Sequence, residues 1–295
     1  MLQSNMSYNI IVLAKQVPDT RNVGKDAMKA DGTVNRAALP AIFNPEDLNA
    51  LEQALQIKDN FPSSKITILT MGPGRAAEII REGLFRGADD GVLLTDRAFA
   101  GADTLATSYA LSMAVRKITD FDIIISGRQA IDGDTAQVGP QVAEKLGIPQ
   151  VTYAETIESI EDGKIQIKRR LENGVETVSA TLPILITVNG TAKACRPRNA
   201  KLLQKYKHAK TITERQAENI DYIDIYGERP YLNLTEWGVA DVDADVALCG
   251  LSGSPTKVKR IENVSFQAKE NKRLSDNDED INELMKELIE NHTIG

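Results

Sequence analysis

Cysteine and histidine are scarce in this chain of 295 residues. Cys195 and Cys249 stand far apart without metal-ligand spacing, which argues against a disulfide framework or a zinc site and for a reducing compartment. His208 lies in a basic stretch and His292 near the terminus, so neither reads as a general base. No G-x-S-x-G, H-E-x-x-H or paired Cys/His arrangement occurs. Positive charge is also in short supply: 35 Lys and Arg face 42 Asp and Glu, a net charge of -7. That balance disfavours nucleic acid or anionic lipid as a general partner. No apolar run approaches transmembrane length, and the first residues lack a basic leader and a cleavage site. The expectation is a soluble, cytoplasmic protein with no membrane insertion. The common nucleotide fingerprints are missing too, both G-x-G-x-x-G at a first strand-to-helix turn and G-x-x-x-x-G-K-[ST]. With so little catalytic machinery, any reaction here has to rest on a bound cofactor.

What the chain does have is alternation. Short apolar runs at 9–17, 65–72, 90–96 and 121–127 read as buried strands, separated by helical patterns at 44–59, 74–87 and 102–118. In "NPEDLNALEQALQIKD", Asn44 reads as an N-cap and Pro45 as the first helical residue. Glu46 and Asp47 suit the positive end of the dipole, and Leu48, Leu51 and Leu55 line one face. From residue 151 to 189 the pattern becomes strands joined by Asp-Gly and Asn-Gly turns, which signal hairpins. The fold class predicted is α/β: a parallel doubly wound sheet of the adenine-nucleotide-binding type with an antiparallel β-hairpin extension and a C-terminal arm. "GTAKACRPRNAKLLQKYKHAK" then carries seven Lys or Arg and no acid, and the acidic remainder is too thin to fold alone.

Two strand-to-helix junctions stand out, because ligands of open parallel sheets sit outside the carboxyl ends of the strands. In "FAGADTLATSYAL", Gly101 permits close approach, and Asp103, Thr104 and Thr107 can cap the helix or donate to a ligand. In "SGRQAIDGDTAQVGP", Gly127 ends the strand, Gly133 permits a tight turn, Asp134 or Thr135 starts a helix, and Arg128 can meet a phosphate. A capped turn explains either junction alone; two on neighbouring strands favour a nucleotide.

These segments resemble the beta subunit of electron-transfer flavoproteins. The resemblance covers "VLAKQVPDT", "NPEDLNALEQAL", "TMGP", "GADTLATSYAL" and above all "SGRQAIDGDTAQVGP". It implies a nucleotide-binding domain over residues 7–222 and an arm over 223–295 that docks on the alpha subunit. In the respiratory type the beta subunit holds AMP as a structural filler; in the anaerobic, electron-bifurcating type it holds an FAD that exchanges hydride with NADH. "DGDTAQVGP", "KQVPDT" and the segment 224–261 resemble the second type. The site implied comprises Ala14, Asn44, Met71 and Gly72 at the pocket edge, and Asp103, Thr104 and Thr107 at the diphosphate or ribityl chain. Gly127, Arg128, Gln129, Asp132, Gly133, Asp134, Thr135, Ala136, Gln137, Val138, Gly139 and Pro140 wrap the remainder. Electrons would pass to ferredoxin and, through the alpha-subunit FAD, to an acyl-CoA dehydrogenase, whose recognition loop falls in the basic stretch. Rival readings are an AMP-binding scaffold subunit and a stand-alone nucleotide-binding signalling module.

Overall fold

The computed structural model describes residues 6–19, 40–218, 224–257, 273–291 and 293–294. Residues 20–39 and His292 lie outside the described residues. The chain divides into two compact units, Met1–Lys259 and Arg260–Gly295.

Among the described residues, the first unit is built on a sheet of nine strands. In chain order these are β1 (Asn9–Leu13), β4 (Lys65–Met71), β5 (Asp90–Leu94), β6 (Ile123–Gly127), β7 (Gln150–Glu161), β8 (Lys164–Leu171), β9 (Gly174–Thr181), β10 (Ile184–Val188) and β11 (Thr235–Trp237). Two further strands, β2 (Gln16–Pro18) and β3 (Ala41–Phe43), pair antiparallel with each other. The order across the main sheet is β11-β5-β4-β1-β6-β10-β7-β8-β9. Pairing is parallel from β11 to β7 and antiparallel over β7, β8 and β9. The chain builds outward from β1 to β4 and β5, then returns to lay β6 on the other side, so the direction of winding switches between β1 and β6.

Alternating side chains make both faces apolar. Ile10 and Val12 pack with Leu51 and Leu55 of α1 (Pro45–Asn60) and Ile79 and Ile80 of α2 (Ala77–Leu84). Ile11 and Leu13 pack on the opposite face with Leu111 and Val115 of α3 (Thr104–Ile118) and Val142 of α4 (Val138–Leu146). The first apolar run is shorter than the sequence suggests: it breaks at Ala14 and Lys15, and Gln16–Pro18 leaves the main sheet for β3. The last run of the hairpin region also behaves differently. Ile184–Val188 inserts between β6 and β7 as a parallel strand, because every residue in it is apolar or small and buried on both faces. The turn between β7 and β8 is the expected Asp-Gly, with Asp162 and Gly163 both at positive φ (50° and 71°).

Beyond β10, α5 (Ala200–Tyr206), α6 (Ile212–Glu218) and α7 (Ile225–Glu228) follow. Trp237 then joins the edge of the main sheet in β11 and packs on the core, although sequence reading placed it in the arm. The second unit contains α8 (Asp278–Glu290), whose Ile281, Met285 and Ile289 are exposed. No helix among the described residues is long and apolar enough to cross a membrane.

Candidate functional site

A cleft of about 980 Å³ opens at the carboxyl ends of β1, β4, β5 and β6. Of the residues singled out from the sequence, Ala14, Met71, Gly72, Asp103, Thr104, Thr107, Gly127, Arg128, Gln129 and the run Gly133–Gly139 line it. Asn44, Asp132 and Pro140 do not. Asn44 is fully buried beneath the cleft: Nδ2 donates to Gln129 O (2.9 Å), and Oδ1 accepts from Ile131 N (3.2 Å). It precedes α1 in the N-cap position, but its side chain makes no cap. Asp132 is held by Lys15 Nζ at 2.7 Å, and Pro140 lies inside the first turn of α4. Lining residues that the sequence reading did not place in the site include Lys15, Asp47, Asp96, Ser126 and Thr256.

The "NPED" start of α1 shapes the floor. Asp47 accepts from Gly127 N (2.9 Å) and Lys15 N (2.8 Å), tying the loops after β6 and β1 together. Burial pushes the Asp47 carboxyl up to about 7; the neighbouring Glu46 charge acts in the same direction, against the hydrogen bonds from Lys15, Asn44 and Gly127. Glu46 accepts from Gln129 N (3.0 Å) and from Arg128 Nη2 (3.0 Å). The bond to Glu46 raises the Arg128 pKa, and the guanidinium carbon stands 5.6 Å from the ring centre of Tyr153. Tyr153 holds a left-handed backbone, φ 61°. Gly127 is required here, since a Cβ would come within 2.4 Å of Asp47 Oδ1.

The N-termini of α3 and α4 also border the cleft, and they differ. Asp103 Oδ1 caps α3 by accepting from Leu105 N and Ala106 N, both at 3.0 Å. Burial pushes the Asp103 carboxyl up, but hydrogen bonds from Ala106, Thr256 and Leu105 outweigh that and hold it below the usual range. Two of the first-turn N–H groups of α3, those of Leu105 and Ala106, are thus already satisfied by a negative charge. Helix α4 begins at Val138, later than the Asp134 or Thr135 start read from the sequence, because Asp134 (φ 49°) and Ala136 (φ 52°) are left-handed. Its N-cap, Gln137, makes no side-chain cap; Gln137 Oε1 instead accepts from Thr104 Oγ1 at 2.8 Å. Among the described residues no group caps the N–H groups of Val138 and Gly139, and both residues line the cleft. Ser126 Oγ lines the same wall, buried and without a partner among the described residues. An uncapped helix start, a loop of alternating handedness and an unpaired hydroxyl form an anion-binding concavity.

The start of α4 and the Ser126 hydroxyl thus offer donors to an anionic group such as a phosphate. Among the described residues no cluster of His, Cys, Asp or Glu could hold a metal ion. The basic stretch lies away from the cleft and is strapped down: Arg196 meets Glu52 (2.9 Å) and Asp59 (2.7 Å), and Arg198 pairs with Glu82. Burial pushes the Cys195 thiol within it up to about 11, which keeps it protonated and unreactive.

Residues 31–218 match the model of the electron transfer flavoprotein domain. The electron transfer flavoprotein subunit beta of Megasphaera elsdenii is 46% identical over 85% of this chain and 86% of its own length. Acryloyl-CoA reductase electron transfer subunit gamma of Anaerotignum propionicum is 44% identical over 84% and 86%. Caffeyl-CoA reductase-Etf complex subunit CarD of Acetobacterium woodii is 42% identical over 85% and 86%. With a cleft of nucleotide size at the switch point of its sheet and this similarity along most of its length, the chain belongs to the electron transfer flavoprotein family, among its beta subunits.

Proposed function

We propose that this chain is the FAD-binding beta subunit of an electron-bifurcating electron transfer flavoprotein, working in the cytoplasm with an alpha subunit. The observation that carries the choice of FAD over AMP is the size of the cleft. At about 980 Å³ it stands at the top of the range of small-molecule sites, roughly 300–1,000 Å³, which suits a dinucleotide better than a mononucleotide. The names of the relatives support the wider setting, since two belong to CoA-ester reductase systems.

Bound in the cleft, FAD would supply acceptance of hydride from NADH and delivery of electrons to ferredoxin and, by way of the alpha-subunit FAD, to an acyl-CoA dehydrogenase. The protein's part is binding and orientation. Val138 N, Gly139 N and Ser126 Oγ receive phosphate at α4, while Thr104, Thr107 and Gln137 present hydroxyl and amide groups to the sugar or ribityl chain. Arg128 is held beside the ligand by Glu46 and Tyr153, so that its fork keeps one orientation. Met71, Phe99 and Leu111 supply apolar surface. The exposed apolar stripe of α8 fits docking on the alpha subunit, and the lysines of the basic stretch fit an acidic face of the dehydrogenase.

The test is anaerobic oxidation of NADH by the heterodimer with ferredoxin and an acyl-CoA dehydrogenase. Ferredoxin reduction that depends on the dehydrogenase and its acyl-CoA acceptor is the expected result. Absence of NADH oxidation would instead leave a scaffold subunit holding AMP.

A further inference from the structure

One wall of the cleft, residues 95–103, is backed by a segment from the far end of the first unit, of which Thr256 alone reaches the cleft among the described residues. The loop after β5, residues 95–103, is backed along its length by residues 249–256. Leu251 N donates to Ala100 O (3.1 Å), and the Leu251 side chain sits where a Cβ on Gly101 would be, 2.6 Å away. Gly250, at φ 52°, approaches so closely that a Cβ would lie 2.2 Å from Ala98 O. Asp103 N donates to the buried Ser254 Oγ (2.8 Å), which itself donates to Gly250 O (2.6 Å). Asp103 Oδ2 accepts from Thr256 N (3.1 Å) and Thr256 Oγ1 (2.7 Å). Both carboxylate oxygens of Asp103 are thereby committed, one to capping α3 and the other to Thr256, which also lines the cleft.

We propose that residues 249–256 are a clasp behind the 95–103 wall of the nucleotide cleft, latched by Thr256 and Ser254 on Asp103, and that the latch sets how long the nucleotide stays bound. Asp103 is then a positioning residue, acting on the ligand through the wall it fastens. The inference rests on the reading of the cleft as an adenine-nucleotide site and holds for FAD or AMP alike. Its physical basis is that Thr256 is exposed and joined to the wall by hydrogen bonds to a charged group. Such a contact opens locally without unfolding the core beneath.

The experiment uses the purified heterodimer, with FAD and AMP as probes in parallel, and measures dissociation after dilution by rapid filtration. Thr256→Val keeps the backbone bond but loses the hydroxyl, and is expected to raise the dissociation rate about tenfold with the association rate unchanged. Thr256→Ser restores the hydroxyl and should return the rate to within about threefold of the natural protein. Ser254→Ala, which strips Asp103 N of its acceptor, should act in the same direction as Thr256→Val. Equal rates for Thr256→Val and the natural protein, or equal acceleration by Val and Ser at 256, would overturn the clasp. A natural complex that retains neither FAD nor AMP would overturn the nucleotide reading itself, and the clasp with it.

Discussion

A methyl group added at Gly127 would lie 2.4 Å from Asp47 Oδ1 and 2.7 Å from the Glu46 carbonyl carbon, with nothing flexible to move aside. Gly127→Ala is therefore expected to destabilise the chain by about 1–3 kcal/mol and to release the nucleotide, read by urea unfolding and by nucleotide content. Asp47 gives a second test at the same scale. Its folded pKa is raised from 3.8 to about 7 by burial, so the folded state holds a proton that the unfolded chain has lost between these values. The stability it contributes is fully present below about pH 4 and is lost as pH rises through 7, with a slope of at most about 1.4 kcal/mol per pH unit. In Asp47→Asn that slope should vanish from the unfolding free energy between pH 4 and 7, whatever constant offset the lost acceptor introduces. An unchanged slope would place the proton elsewhere.

Among the elements, α4 approaches the sheet only because Gly139 has no side chain; a Cβ would lie 2.7 Å from Thr187 Cγ2 and 3.1 Å from Ser126 Oγ. Gly139→Ala is expected to push the helix start outward and weaken nucleotide affinity by about tenfold or more, measured by titration, since the donors move with it. The basic strap over α1 has its own test. Burial pushes the Glu52 carboxyl up, but the hydrogen bonds from Arg196 outweigh it and hold the carboxyl below its usual range. Glu52→Ala should cost about 3 kcal/mol in urea unfolding, because it leaves Arg196 with Asp59 alone. The main strands and α1 to α3 were legible in the sequence because their apolar periods are local signals. The path of β10 was not, since a buried parallel strand and a hairpin strand share one composition. The glycines and small polar residues of the two junctions likewise marked most of the cleft. Asp47, Lys15 and Thr256 were hidden, as their roles depend on partners 80, 117 and 153 residues distant, and no local pattern records such pairings.

At the scale of the whole molecule, the net charge of -7 and the strapped-down basic stretch describe a surface of mixed sign suited to protein partners. The second unit bears on assembly. Ile281, Met285 and Ile289 follow helical spacing and are 48%, 44% and 54% exposed. Met285→Asp with Ile289→Asp should change the chain's own unfolding free energy by less than about 0.5 kcal/mol while abolishing co-purification with the alpha subunit. Retained co-purification would remove this helix from the interface. The central claim, that the cleft at the switch between β1 and β6 holds a redox-active dinucleotide, is tested most directly by counting nucleotides released from the purified heterodimer. The account predicts two FAD and no AMP per complex; one FAD with one AMP would contradict it.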